Sequence, residues 1–271
     1  MQASYEPNNF KGGYAGLVTF RTALQKSLNS VAVQVAERIG YGRVAAFAHR
    51  MGLNKAIKGY PSVALGAFEV TPLELAGAYT AFANQGRRVE PRAVSRVETS
   101  AGADVTVNRE ARDVLRPERA YLMTYLMEGV INRGTGAGVR ARGFRLPAAG
   151  KTGTSRDGWF VGYTKDLLVI VWVGFDDNSD LGLEGSRSAL PIWTEFMLKA
   201  YALYPPTKQM YFTAPPGVEF VTIDTESMMP ATPDCPDTFQ EAFIRGTVPA
   251  AYCPLHSGQT ANIDNAAGLS H

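Results

Sequence analysis

Ala148-Ala149-Gly150-Lys151-Thr152-Gly153-Thr154-Ser155-Arg156-Asp157-Gly158-Trp159-Phe160-Val161-Gly162-Tyr163-Thr164-Lys165-Asp166-Leu167 opens the part of the chain where the pattern turns from helix to strand. Lys151 to Ser155, Trp159 to Tyr163 and Leu167 to Phe175 read as strands. The connections Arg156-Asp157-Gly158 and Thr164-Lys165-Asp166 are short enough to make them an antiparallel meander. Upstream, Phe20, Ala23 and Leu24, then Val31, Val35 and Ile39, have helical spacing, so two short helices joined at Ser27-Leu28-Asn29 are expected between Thr19 and Gly40. Thr71-Pro72-Leu73-Glu74 is a capping box with proline at the first helical position, and that helix ends near Gly86. A hairpin is expected around Ser100-Ala101-Gly102, a stronger helix after Pro117 and a last one over Pro191 to Tyr204. Helices, a meander and a closing helix make an α+β domain, an antiparallel sheet with flanking helices.

The domain is expected to span residues 1–204. Residues 205–271 hold 9 of the 16 prolines and both cysteines, and read as a separate extension. A chain of 271 residues, 45% hydrophobic, can bury a core without staples. Its 27 Lys+Arg against 25 Asp+Glu exclude a dedicated nucleic-acid binder, and Arg133 to Arg145, interrupted by glycines, reads as a solvated loop. The longest apolar run, Leu167 to Val173, is far below the roughly 18 residues of a membrane span. Met1 to Phe10 lacks the pattern of a secretory signal.

Gly150-Lys151-Thr152 can be read in two ways. As the end of a phosphate-binding loop it would require glycine at position 145, which is Arg145, and a helix to follow, where strand is expected. As an edge strand, Lys151 to Thr154 can pair with an extended peptide through its main chain. Gly153 then allows close approach, Lys151 supplies charge or proton traffic, and Thr152 and Thr154 supply hydroxyls. Ser27 and Asn29, two apart in a turn between helices, can present a relay hydroxyl and an amide to one cleft.

Ser-x-Asn with Lys-Thr-Gly resembles the penicillin-binding proteins and serine β-lactamases. Tyr5 to Asn9, Arg21 to Asn29, Gly66 to Gly86, Arg133-Gly134-Thr135-Gly136 and Gly150 to Gly162 resemble the transpeptidase domain of the bifunctional, class A members. The resemblance covers about residues 1 to 204, and the tail with Cys-Pro-Leu-His resembles an extension of some members. It implies a β-lactamase-like transpeptidase fold and acyl transfer. A serine attacks the D-Ala-D-Ala end of a peptidoglycan stem peptide, and an amine of a second stem resolves the acyl-enzyme. By this resemblance Ser27 relays protons, Asn29 positions substrate, and Lys151 joins the same network. Thr152, Gly153 and Thr154 bind substrate, with the Thr154 backbone N–H as half of an oxyanion hole. It further implies no cofactor, stem peptides and β-lactams as ligands, cell-wall synthesis proteins as possible partners, and a place in the periplasm or on the outer face of the cytoplasmic membrane. The same motifs would serve a D,D-carboxypeptidase, a β-lactamase-like hydrolase or a non-catalytic stem-peptide binder.

The family's nucleophile lies in Ser-x-x-Lys. None of the eight lysines here has serine three residues before it. The match begins where that motif should already have passed, so the chain is expected to be the back part of a transpeptidase. Its membrane anchor, glycosyltransferase domain, nucleophile helix and first two strands would then precede Met1. The outer edge of Leu167 to Phe175 is expected to be unpaired. Cys235 and Cys253 suit a disulfide. With His256 they offer three zinc ligands, but the spacing is unlike a zinc motif and a fourth ligand is missing, so no metal is expected; two unrelated free thiols are the third possibility.

Overall fold

The computed structural model describes residues 7, 9, 12–102, 104–106 and 110–256. Tyr5, Glu6 and Asn8 of the N-terminal match lie outside them, as does Val107 at the end of the expected hairpin. The chain forms two compact units, Met1–Pro216 and Gly217–His271.

The first unit begins with helices α1 (Phe20–Lys26), α2 (Asn29–Ile39) and α3 (Tyr41–Arg50). Thr19 caps α1 by accepting from the Thr22 N–H at 3.1 Å. Helix α4 (Pro72–Ala83) starts with the expected capping box: Glu74 N–H donates to Thr71 Oγ1 at 3.1 Å and Thr71 N–H to Glu74 Oε2 at 2.8 Å. Two small antiparallel pairs follow, β1 (Arg87–Val89) with β4 (Ala111–Asp113), and between them the hairpin β2 (Arg96–Glu98) and β3 (Asp104–Thr106). Helix α5 (Pro117–Arg133) and the short α6 (Gly138–Ala141) lead into the meander.

The meander is β5 (Ala149–Thr154), β6 (Gly158–Tyr163) and β7 (Leu168–Val173), antiparallel in the order β5-β6-β7, with Lys151 opposite Val161 and Gly162 opposite Val169. Both β5 and β7 are therefore edges, since each pairs with β6 alone among the described residues. Alternation along β6 sends Phe160 and Gly162 toward α7 (Ala189–Leu203), and Tyr163 toward Met127 of α5. Trp193 of α7 lies fully buried over the sheet, its ring 5.1 Å from Phe160 and 5.7 Å from Phe144. Its Nε1–H donates to the carbonyls of Gly162 and Val169 at 3.3 and 3.2 Å. On the other face the Tyr163 hydroxyl meets Thr124 Oγ1 at 2.8 Å, so both polar tips in this dry core have partners.

One sequence expectation is revised here. The stretch from Arg133 to Arg145 is not simply a solvated loop: α6 lies within it, Val139 is fully buried, and Arg140 donates to Asn132 Oδ1 and to the carbonyls of Phe144 and Leu146 at 2.8 to 2.9 Å. The first compact unit runs on past the last helix to Pro216. Prolines 205 and 206 end the helix without ending the packing. Met210 is buried, Phe212 stands 5.7 Å from the Tyr163 ring, and Gln85 Nε2 donates to the Thr213 carbonyl at 3.3 Å. The second unit is a hairpin of β8 (Val218–Asp224) and β9 (Thr238–Ile244) with its connecting and following loops.

The sheet depends on close approach at Gly162, where a Cβ would come within 2.7 Å of the Trp193 indole. Gly162→Ala is expected to lower stability by about 1–3 kcal/mol, the usual cost of overpacking a core. A urea titration of both proteins checks this, and coincident midpoints would contradict the packing argument.

Candidate active site

Helix α1 ends at Ser27, whose backbone is left-handed at φ 54° and ψ 51°. Such a cap normally selects glycine, and a side chain here costs about 1 kcal/mol or more. In exchange the turn stops α1 and starts α2 two residues later, at Asn29. It also points the Ser27 hydroxyl at the sheet, where Lys151 of β5 donates to Ser27 Oγ at 2.8 Å. Lys151 also donates to the Thr152 carbonyl at 2.8 Å. Burial, which disfavours the charged ammonium, lowers its pKa from 10.5 to about 8. A lysine so placed can hold or surrender a proton near neutral pH, and the serine hydroxyl beside it can pass that proton on.

Alternation along β5 turns Thr152 away from Lys151, and its Oγ1 lies 2.6 Å from Thr135 Oγ1. Thr135 comes from the turn after α5. Its N–H donates to the Gln25 carbonyl at 2.9 Å, and Gly134 permits that approach, since a Cβ there would lie 2.5 Å from the same oxygen. Thr154 Oγ1 accepts from the Gly185 N–H at 3.0 Å, which leaves the hydroxyl proton as its donor. At Gly153 a Cβ would press on Trp159 Cβ at 3.1 Å, the space a side chain would need.

Ser27, Asn29, Lys151, Thr152, Gly153 and Thr154 line one cleft of about 1430 Å³, although the first two and last four are far apart in sequence. Apolar walls come from Leu24, Val31, Leu122 and Met123, and Glu184 adds a carboxylate. The arrangement sets a buried amine beside a serine hydroxyl, with two oriented threonine hydroxyls and the edge of a sheet in the same cleft, groups that can serve acyl transfer. Thr135 and Glu184 were not singled out as site residues. Arg133-Gly134-Thr135-Gly136 was readable as the end of a helix, but nothing in it points to Thr152. Trp159 packs against Trp172 at 6.3 Å and does not line the cleft. His49 bonds the Ile57 carbonyl at 3.0 Å through Nε2.

The profile of the penicillin-binding protein transpeptidase domain matches residues 2–198, and that of the penicillin-binding protein 1A C-terminal domain matches residues 214–258. The chain belongs to the penicillin-binding protein transpeptidase family. It is 34% identical over 253 residues to penicillin-binding protein 1A of Aquifex aeolicus, covering 91% of this chain and 34% of that protein. It is also 34% identical over 260 residues to penicillin-binding protein 2D of Bacillus subtilis, covering 92% of this chain and 37% of that protein. Among solved structures, penicillin-binding protein 1A from Haemophilus influenzae superposes with a TM-score of 0.83 at 26% identity, over 92% of this chain and 43% of that one. The chain thus spans about a third of the length of these curated relatives. The fold is the α+β transpeptidase fold of penicillin-binding proteins.

Two outcomes test the geometry. Ser27→Gly and Ser27→Ala both remove the hydroxyl, but only glycine relieves the left-handed backbone. Ser27→Gly should be the more stable by about 1 kcal/mol in urea, and equal stabilities would count against the strain. For Lys151, the unfolded chain binds the extra proton between about pH 8 and 10.5, so its titration makes stability rise with pH across that window. The difference in stability between the parent chain and Lys151→Met should shift in favour of the parent over that range. Parallel profiles would show that Lys151 is not held at a lowered pKa.

Proposed function

We propose that this chain supplies the relay and substrate-recognition side of a D,D-transpeptidase site that crosslinks peptidoglycan stem peptides. The observation that carries the reading is the 2.8 Å contact between Lys151 Nζ and Ser27 Oγ, which joins the two motifs at one point of the cleft.

In this reading a stem peptide lies extended along the outer edge of β5 and pairs with its main chain. Its terminal carboxylate is taken by the hydroxyls of Thr152 and Thr154, held in place by Thr135 and by the Gly185 N–H. Asn29 orients the peptide from the start of α2. The Thr154 N–H supports the oxyanion that forms when the D-Ala-D-Ala carbonyl is attacked, a donor whose removal typically costs about 10²–10³ in rate. Ser27 and Lys151 carry the proton between the attacking hydroxyl, the departing D-alanine and the incoming amine.

The attacking serine itself is not supplied by these 271 residues, which contain no Ser-x-x-Lys. The chain by itself therefore binds without acylation, and β-lactams, as mimics of the stem terminus, compete for the cleft. Binding without turnover is also what a nucleophile-free remnant would do. The location that goes with this reading is the periplasm or the outer face of the cytoplasmic membrane. Among the described residues no helix is long and apolar enough to cross a membrane. Peptidoglycan strands and cell-wall synthesis proteins are the partners it implies.

The test pairs two measurements on the 271-residue chain. A diacetyl-Lys-D-Ala-D-Ala peptide should bind saturably, compete with penicillin and lose about tenfold or more in affinity in Thr154→Val, where a charge-assisted hydrogen bond is gone. Intact-mass spectrometry after penicillin treatment should show no adduct. Absence of peptide binding would refute the recognition role, and a penicilloyl group on any serine peptide would refute the missing nucleophile.

A further inference from the structure

We propose that the second unit carries a zinc site made by Asp224, Cys235, Cys253 and His256. The sequence offered three of these ligands and lacked a fourth. The structure brings Asp224 from the end of β8 into the group, and one ligand atom from each of the four lies within 4.8 Å of all the others. Both cysteines are free thiols in the structure.

Two of the distances have the length that the edges of a tetrahedral metal site require. With metal–ligand bonds of about 2.3 Å to sulfur and about 2.0–2.1 Å to nitrogen or oxygen, tetrahedral edges are about 3.5 Å for S···N and about 3.3 Å for N···O. Cys253 Sγ lies 3.4 Å from His256 Nδ1, and Asp224 Oδ1 lies 3.2 Å from the same nitrogen. Two sulfurs, one imidazole and one carboxylate form a donor set that favours zinc over calcium or magnesium, which take oxygen ligands.

Asp224 gives a second, independent indication. It is 1% exposed, and among the described residues its Oδ1 meets no donor in hydrogen-bond geometry. A buried carboxylate oxygen left so is costly. Its other oxygen accepts from the Ser227 N–H at 2.7 Å, which fixes the carboxylate with Oδ1 turned to the thiols and the imidazole. The near neighbour of Oδ1 is His256 Nδ1 at 3.2 Å, and a cation at the centre of the four groups would satisfy that oxygen.

The surrounding groups behave as supports for such a centre. Thr232 directs its N–H at Cys235 Sγ at 3.3 Å, and its hydroxyl donates to the His256 carbonyl at 2.7 Å. The Cys253 N–H donates to the Pro230 carbonyl at 2.8 Å, and Pro230 bridges to Ile223 next to Asp224. The imidazole would bind through Nδ1 and turn Nε2 toward Glu226, whose Oε2 is 3.7 Å away, the carboxylate–histidine–metal arrangement common around zinc. Each thiol gives up its proton when the metal enters, so affinity falls as the solution is acidified.

The test uses the whole 271-residue chain, reduced, stripped with chelator and then titrated with zinc chloride. One equivalent of zinc should bind and quench the reactivity of both thiols. Cobalt(II) in its place should show the visible bands of a tetrahedral site and thiolate charge transfer. His256→Gln, at a partly exposed position, should lose stoichiometric binding, and Glu226→Gln should weaken it by about 10-fold or more. Measurement on the parent chain stands whether or not Cys253→Ser folds. The proposal is overturned if the reduced chain takes up no zinc, if His256→Gln binds as tightly as the parent, or if peptide mapping recovers a Cys235–Cys253 disulfide that persists with zinc present.

Discussion

The hydrogen bond from the Thr135 N–H to the Gln25 carbonyl, 2.9 Å long, ties the end of α5 to the end of α1, and the cleft is arranged around that tie. It exists because Gly134 leaves room for the two backbones to touch. With α5 packed against β5, fixing α1 to α5 also fixes Ser27 against Lys151 and Thr135 against Thr152. The same few residues thus set the distances of both polar contacts.

The sheet behind the cleft has three strands, and each face has its own cover. Trp193 seals one side and spends its indole N–H on two strand carbonyls, while Tyr163 anchors the other through Thr124. Lys151 is carried on a strand held rigid from behind, so its depressed pKa follows from a placement it cannot easily leave.

Local signals told most of the fold. The capping box at Thr71, the proline at 117 and the short turns of the meander are each written in adjacent residues, and the helices and strands appear where those residues require. Ser27, Asn29 and Lys151 to Thr154 were legible through the family resemblance of their two motifs, and the structure brings them to one cleft. Thr135 was not, since its role arises from the packing of α1 on α5, a contact with no periodicity. Asp224 was hidden for a similar reason: a carboxylate at the end of a strand looks like any surface acid until the loops from Cys235 and His256 fold over it. Proline density reports where regular elements stop. It says nothing about whether the irregular chain beyond them still packs, as Met210 and Phe212 do.

The outer edge of β5 presents peptide groups, which every residue type carries alike. A binder that docks by strand pairing there would be read by the path of its backbone more than by its side chains. Replacing one side chain of such a binder would therefore alter the docking little unless it bent the paired backbone. Such a surface is altered most by whatever bends the strand or fills the space at Gly153, where a Cβ would stand 3.1 Å from Trp159 Cβ.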